Sequence, residues 1–307
     1  MSNDKQVNFN NPARVVQSWY VAAKSSQVKR GKVKAFNLFK RRIAIYRDSE
    51  GEVHAIEARC PHMGANLGQG KVVGNRLQCA FHHWKIGPNG QCYTAKNVDT
   101  NRITRVYPTL ERWGHIWIFN GPRPLFNIPE PPKDMKYFLF KTPSQHIKCH
   151  PHMVIGNGLD PAHFDTLHGL IPTAEPKLTV SKPFGVTLEF RGHPKSSLLR
   201  SIIGTWKIDI VSRFTAIGGH LAFVEVLKPF RFYVLSTGRI SRTNGCITKV
   251  FFFLPRNFRF IQAILSMLVF LHNDRKILDE LEFHPGFLAE DKPMKEFYNL
   301  VNKMATW

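Results

Sequence analysis

Acidic residues are scarce: 22 Asp and Glu stand against 43 Lys and Arg, a formal net charge of +21 over 307 residues. Long apolar runs are also missing. The longest, "AILSMLVFL" at 263–271, falls well short of the ~20 residues that a bilayer-spanning helix needs. The first residues, "MSNDKQVNFNNPAR", carry no apolar stretch behind a basic one. Secretion is therefore not expected, and a cytoplasmic location is. Cysteine is limited to five, an odd number without the density of a disulfide framework. A soluble chain, or at most one touching a membrane surface, is what these absences leave.

What is present supports a packed protein. Hydrophobic residues make up 43% of the chain and include 24 Phe, enough for a substantial core. The basic excess asks for an acidic partner: nucleic acid, an anionic membrane or an acidic protein. The basic residues are spread along the chain without a nucleic-acid module, so no nucleic-acid partner is expected.

Between residues 17 and 120 short strand-like segments alternate with turns. "RIAIYRD", "EVHAIEA", "RLQCAF" and "HIWIFN" are the strands, "DSEGE" and "GPNG" the turns. The segment "GPRPLFNIPEPPKD" at 121–134 has five prolines and reads as an extended connector. It divides the chain into an all-β domain, 1–123, and a second domain, 124–307. In the second, "VTLEFRG", "WKIDIVSRFTAI", "HLAFVEVLKPFRFYVLS" and "CITKVFFFLP" read as long antiparallel strands. Residues 258–282 have few breakers and dense Leu, Ile and Phe, which predicts a helix. The expected fold class is α+β.

Two clusters carry chemistry. In "CPHMGANLGQGKVVGNRLQCAFHHW", Cys60 and His62 have one residue between them, Cys79 and His82 two, and sixteen separate the pairs. A structural zinc site usually spaces its paired ligands more widely. A single residue between Cys60 and His62 suits two adjacent irons better, each loop giving its Cys to one and its His to the other. Cys92, Cys149 and Cys246 are scattered and read as ordinary thiols.

The second cluster is "NGLDPAHFDTLHG", 157–169. Two neutral histidines and a carboxylate form the facial triad of non-haem Fe(II) oxygenases, and His163 and His168 supply the pair. On an ideal helix a spacing of five turns them about 140° apart, so a π-bulge or kink between them is expected. Asp160 before Pro161 is also a good helix N-cap, and both readings of its carboxylate stand.

Through "CPHMG" and "CAFHHW" the chain resembles the Rieske proteins. Glycine usually follows the second histidine in that family, where this chain has His83; the resemblance keeps His82 as ligand and His83 as a neighbour. Without the extra cysteines of the respiratory branch, the resemblance is to the oxygenase or ferredoxin branch. A ferredoxin would end near residue 120. With the second cluster, nearly the whole chain resembles the terminal oxygenase α subunits of the Rieske non-haem iron oxygenases. The α-only members, such as dicamba and vanillate demethylases and ketosteroid hydroxylases, match its length best.

The resemblance implies a [2Fe–2S] cluster on Cys60, His62, Cys79 and His82, in a Rieske β domain followed by a helix-grip-like antiparallel sheet. It implies a catalytic Fe(II) on His163, His168 and Asp274, the last taken from "HNDRKILDELEF". Asp279, Glu280 and Glu282 are left as a solvated helix face. Asn157 lies near the iron, and Asp160 bridges His82 of one subunit to His163 of its neighbour, which requires a homotrimer. Electrons come from NAD(P)H through a separate, acidic ferredoxin or reductase. The substrates are O2 and a hydrophobic, aromatic or polycyclic molecule that is hydroxylated, demethylated or desaturated. A Rieske electron carrier or sensor without oxygenase activity is the alternative.

Overall fold

The computed structural model describes residues 7–197, 200–201, 209–241, 244–257 and 259–307. The chain forms two compact units. One comprises Gln17–Leu125 with Trp307; the other comprises the N-terminal segment up to Val16 with Phe126–Thr306.

The first unit is built of short antiparallel strands in three sheets. In "RRIAIYR", Arg41–Arg47, successive side chains point to opposite faces. Ile43 and Ile45 enter one core with Ala55, Ile116 and Ile118. Ala44 and Tyr46 enter the other with Ile56, Leu77 and Ile86. Both faces are covered, which is why this strand reads as a nearly continuous apolar run. Each fully buried isoleucine here contributes about 1.5–3 kcal/mol. The second core is walled by a five-stranded sheet running from Lys71–Val73 to Asp99–Ile103, and Cys60 and Cys79 are part of it.

The second unit centres on a nine-stranded antiparallel sheet. Its long strands are Gly185–Pro194, Ile210–Ile217, Leu221–Lys228, Phe232–Ile240 and Cys246–Pro255. Registers such as Leu188↔Phe214, Phe214↔Val224, Val224↔Val234 and Val234↔Phe252 line up one apolar face across all five. Two helices cover that face at different places. The helix Lys292–Lys303 seals one part through Met294, Phe297, Leu300 and Val301, packed with Val186, Leu188 and Ala216. The helix Arg259–Leu278 covers another through Ala263, Ile264 and Leu271, packed with Val226, Val234 and Phe252. A cavity remains on this face. Ion pairs from Arg213 to Glu189 and Glu225 lie on the opposite side of the sheet, half-exposed and worth little on their own.

Several elements depart from the sequence reading. The helix expected over 258–282 ends at Leu278, and Phe258 lies outside the described residues. Asp279 is not part of a solvated face: its carboxylate accepts the Lys148 backbone N–H at 2.9 Å, whereas Glu280 and Glu282 are exposed. The stretch "HLAFVEVLKPFRFYVLS" is two strands, broken where Pro229 follows Lys228. Residues 206–208 of "WKIDIVSRFTAI" lie outside the described residues, and the strand runs Ile210–Ile217. The helix Lys292–Lys303 was not anticipated, although its apolar positions recur at helical spacing.

A chain of buried histidines ties the second unit's N-terminal segment to its sheet. The Asn10 N–H donates to His152 Nδ1 at 3.0 Å, which leaves the proton of the neutral ring on Nε2. That nitrogen faces His220 Nε2 at 3.3 Å, and His220 Nδ1–H donates to the Gly238 carbonyl at 2.9 Å. His150 stacks edge-on against His152 at 4.3 Å between ring centroids. Burial pushes the pKa of His150 down to about 4, that of His220 to about 3 and that of His152 well down.

The unfolded chain protonates these rings near 6.5, and the fold refuses the proton until far lower. Stability is therefore full above 6.5 and is lost as pH falls, by about 1.4 kcal/mol per pH unit for each such ring. Denaturant unfolding between pH 7 and 4.5 should show this slope. His220→Gln should flatten it by close to one proton; an unchanged slope in that variant would assign the acid sensitivity elsewhere.

Candidate metal centres

In the first unit two loops of equal length face each other. The Cys60 N–H donates to the Ala65 carbonyl at 2.9 Å, and the Cys79 N–H to the Trp84 carbonyl at 2.8 Å. Each bond closes six residues that begin with a cysteine. The fifth residue of each loop is left-handed: Gly64 at φ +79° and His83 at φ +57°. Glycine is the natural occupant of that backbone, which explains both the usual glycine after the second histidine and what His83 must tolerate here.

The loops bring four side chains together. Cys60 and Cys79 are buried at 3% and 2% exposure. His62 stands 4.7 Å from His82 between ring centroids and stacks flat on Trp84 at 4.3 Å. His62 Nδ1 is buried without a hydrogen-bond partner. Burial, and then the neighbouring Cys79, holds the Cys60 thiol above its ordinary pKa. Two buried thiols beside an imidazole nitrogen without a hydrogen-bond partner are not explained by packing, and the donor set suits a [2Fe–2S] cluster. His83 is exposed, and Met63 and Phe81 are exposed beside the site. Arg102 braces the first loop by donating to the Pro61 carbonyl at 2.6 Å.

In the second unit Asp160 caps the helix Pro161–Thr166, accepting the Ala162 N–H at 2.9 Å. His163 Nδ1–H donates to the Asp160 carbonyl at 2.5 Å, which turns its Nε2 toward Asp274. The π-bulge expected between the histidines is not inside the helix. The helix stops at Thr166, and the widened turn falls at its end, where the His168 N–H reaches the His163 carbonyl at 3.4 Å. Gly169, at φ +60°, then turns the chain into the strand Leu170–Pro172. This ending brings both rings to one side.

The ligand atoms of His163, His168 and Asp274 lie within 4.8 Å of one another. His168 Nε2 is 2.9 Å and His163 Nε2 4.0 Å from Asp274 Oδ1. Neither Asp274 Oδ1 nor His168 Nδ1 makes a hydrogen bond. Burial lowers the His163 pKa, so the ring is neutral and its lone pair available. Two imidazoles and one carboxylate, with a buried ring nitrogen left without a partner, suit a divalent iron. Among the described residues no other group of three such side chains converges in this way.

The triad opens on a cavity of about 190 Å³ against the sheet. Asn157 lines this cavity and Asp160 does not. The sequence reading missed Phe270, whose ring meets His168 edge-on at 4.6 Å. It also missed Phe164, whose ring lies 4.4 Å from that of His163. Phe270 was readable in principle, because it precedes Asp274 by one helical turn.

Residues 18–108 match the Rieske [2Fe-2S] domain. The chain carries a Rieske domain. It is 32% identical over 177 residues to the cholesterol 7-desaturase of Xenopus laevis, covering 53% of this chain and 39% of that protein. It is 30% identical over 175 residues to a 3-ketosteroid-9-alpha-monooxygenase oxygenase component of Rhodococcus rhodochrous, covering 52% and 45%. The 4beta-methylsterol monooxygenase of Methylococcus capsulatus is 34% identical over 158 residues, 47% and 42% of the two chains. The chain thus spans less than half the length of these relatives.

In fold it superposes on dicamba monooxygenase bound to dicamba, with TM-score 0.64 and 20% identity over 95% of this chain and 97% of that one. Pseudomonas putida NdmA with caffeine gives 0.67 and 17%, over 92% and 89%. In fold the chain is similar to these two structures over nearly its whole length, and its α+β class is theirs.

Replacing Cys79 or His82 by Ala should abolish the visible absorption of a histidine-ligated cluster, whereas His83→Gly should keep it. Relief of the left-handed backbone should also raise the unfolding free energy by about 1 kcal/mol. Loss of colour in His83→Gly with colour retained in His82→Ala would shift the ligand register by one.

Proposed function

We propose that this chain is a terminal oxygenase that uses O2 at a mononuclear iron, with electrons relayed through its Rieske cluster. The observation that carries this reading is the convergence of His163, His168 and Asp274 on one apolar cavity in a chain that also has a Rieske domain. When bound, ferrous iron held by two imidazoles and a carboxylate offers open positions for O2, and a Rieske cluster delivers single electrons.

The residues have separable tasks. The Asp160 carbonyl fixes the His163 ring so that Nε2 faces inward. Phe270 packs edge-on against His168. Phe214, Val224, Val234 and Val250 line the cavity with apolar surface and exclude water. Ser212 and Ser236 offer hydroxyls on the same wall, and neither makes a side-chain hydrogen bond among the described residues.

The substrate is a hydrophobic ring system. At about 190 Å³ the cavity is smaller than the ~300 Å³ at which drug-sized pockets begin, so it takes one end of such a molecule. The sterol and ketosteroid names of the relatives favour a steroid-like compound, to be hydroxylated, demethylated or desaturated. The +21 charge favours an acidic electron donor, a ferredoxin or reductase fed by NAD(P)H.

His163→Ala, His168→Ala and Asp274→Ala should each keep the cluster absorption, lose product formation and reduce iron from about three per chain to about two. Two irons per chain in the wild type, with no product from a steroid panel and a surrogate reductase, would leave a Rieske electron carrier.

Asp160 is assigned a second task beside capping. Its Oδ1 takes the Ala162 N–H, and among the described residues its Oδ2 has no partner. The carboxylate is proposed to bridge His163 to His82 of a neighbouring subunit in a closed trimer. Asn caps as well as Asp but lacks the charge that a bridge between imidazoles uses. In Asp160→Asn, with iron content unchanged, single-turnover reoxidation of the reduced cluster should slow by about 10–100-fold. Wild-type speed would leave Asp160 as a cap alone.

A further inference from the structure

The helix Arg259–Leu278 is apolar on two sides. Its inward side packs on the sheet through Ala263, Ile264 and Leu271. On the opposite side Ile261, Leu265 and Leu268 fall in line at spacings of four and three, and they are 53%, 50% and 44% exposed. A soluble surface helix carries polar residues there. The stripe is extended by exposed His272. Exposed apolar surface of this kind marks a face that something covers.

The charges around it identify the cover. At the helix start Lys136, Arg231, Arg256 and Arg259 line a single surface depression that has no acidic residue in its wall. Phe138, 52% exposed, stands beside it against Pro255 and Arg256. At the other end lie Arg275 and Lys276. Arg275 is already engaged by Asp279 at 3.4 Å, whereas Lys276 is exposed. The helix's one acidic side chain, Asp274, points inward to the triad. Glu280 and Glu282 are exposed beyond its end, and Asp134 is exposed next to Lys136 without lining the depression.

We propose that this outward face docks on an anionic phospholipid bilayer, with Ile261, Leu265 and Leu268 in the headgroup–acyl boundary and the flanking cations among the phosphates. An apolar stripe between basic ends is the pattern of a helix that lies in the interface rather than crossing it. Among the described residues no helix is long and apolar enough to cross. A second copy seated on this stripe would set the same basic ends, Lys136, Arg231, Arg256 and Arg259 at one and Lys276 at the other, against like charge.

The inward side of the same helix lines the cavity through Phe270, Leu271, Asp274 and Leu278. A docked helix therefore puts the cavity wall about one helix diameter, ~10 Å, from the lipid. The delivery of an apolar substrate from the membrane rests on the function proposed above. The docking does not, and its test needs no turnover.

The test is co-sedimentation of the full, cluster-loaded chain with sucrose-filled vesicles. One set is phosphatidylcholine alone, the other phosphatidylcholine with phosphatidylserine. The wild type should bind the anionic vesicles, and inorganic phosphate at equal ionic strength should compete no better than chloride. The charge-neutral pair Leu265→Gln and Leu268→Gln should lower the vesicle partition coefficient about tenfold or more. Far-UV circular dichroism and the cluster absorption should stay unchanged.

Equal partitioning of that variant and the wild type would overturn the proposal, because attraction by net charge alone would then explain the binding. Absence of wild-type binding would overturn it too. So would a wild-type oligomer, in vesicle-free sedimentation, that dissociates in the glutamine variant, since the stripe would then be an interface between copies. A retained vesicle effect with no turnover of any steroid would leave the docking intact and count against the substrate reading.

Discussion

A carboxylate and two imidazoles held close together at the wall of an apolar cavity, with a ring nitrogen left unpaired, is an arrangement a protein does not adopt for stability. An unpaired buried atom costs about 1–3 kcal/mol, and His168 Nδ1 is one. The surrounding structure must impose this geometry. Asp160 imposes it at one end by starting the helix Pro161–Thr166 and holding His163 through its carbonyl. The sheet imposes it at the other by gripping the helix that carries Asp274 through Ala263, Ile264 and Leu271. The cavity is the space left between helix and sheet, and it persists because both are anchored in cores outside it.

The cluster loops obey a related constraint by different means. There the unfavourable state is a pair of buried thiols beside an imidazole nitrogen without a partner. The framework is local: two six-residue loops, each closed by one backbone hydrogen bond and each turned by a left-handed residue in fifth place. Trp84 both accepts the closing bond of its own loop and stacks on the histidine of the other. The two loops are thus joined by side-chain packing as well as by whatever they hold.

The side chains that the structure brings together at the two candidate centres were legible because a metal site would restrict residue type and spacing far more than packing does. Cys60, His62, Cys79 and His82 could be read from spacing, and His163 and His168 from their pairing with a possible carboxylate. Asp274 was reached only through the family resemblance, since Asp279 and two glutamates share its neighbourhood and only tertiary packing separates them. The π-bulge or kink expected between His163 and His168 is present as a widened turn, but it ends the helix instead of interrupting it, and Gly169 was the available sign of that end. The His150, His152 and His220 chain had no local signature at all, because its members meet through the sheet across a gap of 68 residues between His152 and His220. Strand periodicity identified the long strands but not the turn at Pro229, which interrupts an otherwise uniform apolar run.

All five cysteines are buried. Burial raises the pKa of Cys92 to about 11 and of Cys149 to about 12, and raises that of Cys246 further. Thiolate, not thiol, is the reactive form, so Cys92, Cys149 and Cys246 react slowly with an alkylating reagent, and Cys60 and Cys79 are screened by burial. A cysteine introduced on the surface would therefore be the single point of attachment. The chain can be tethered to an electrode or tagged with a spin label at one chosen position without first removing any native thiol.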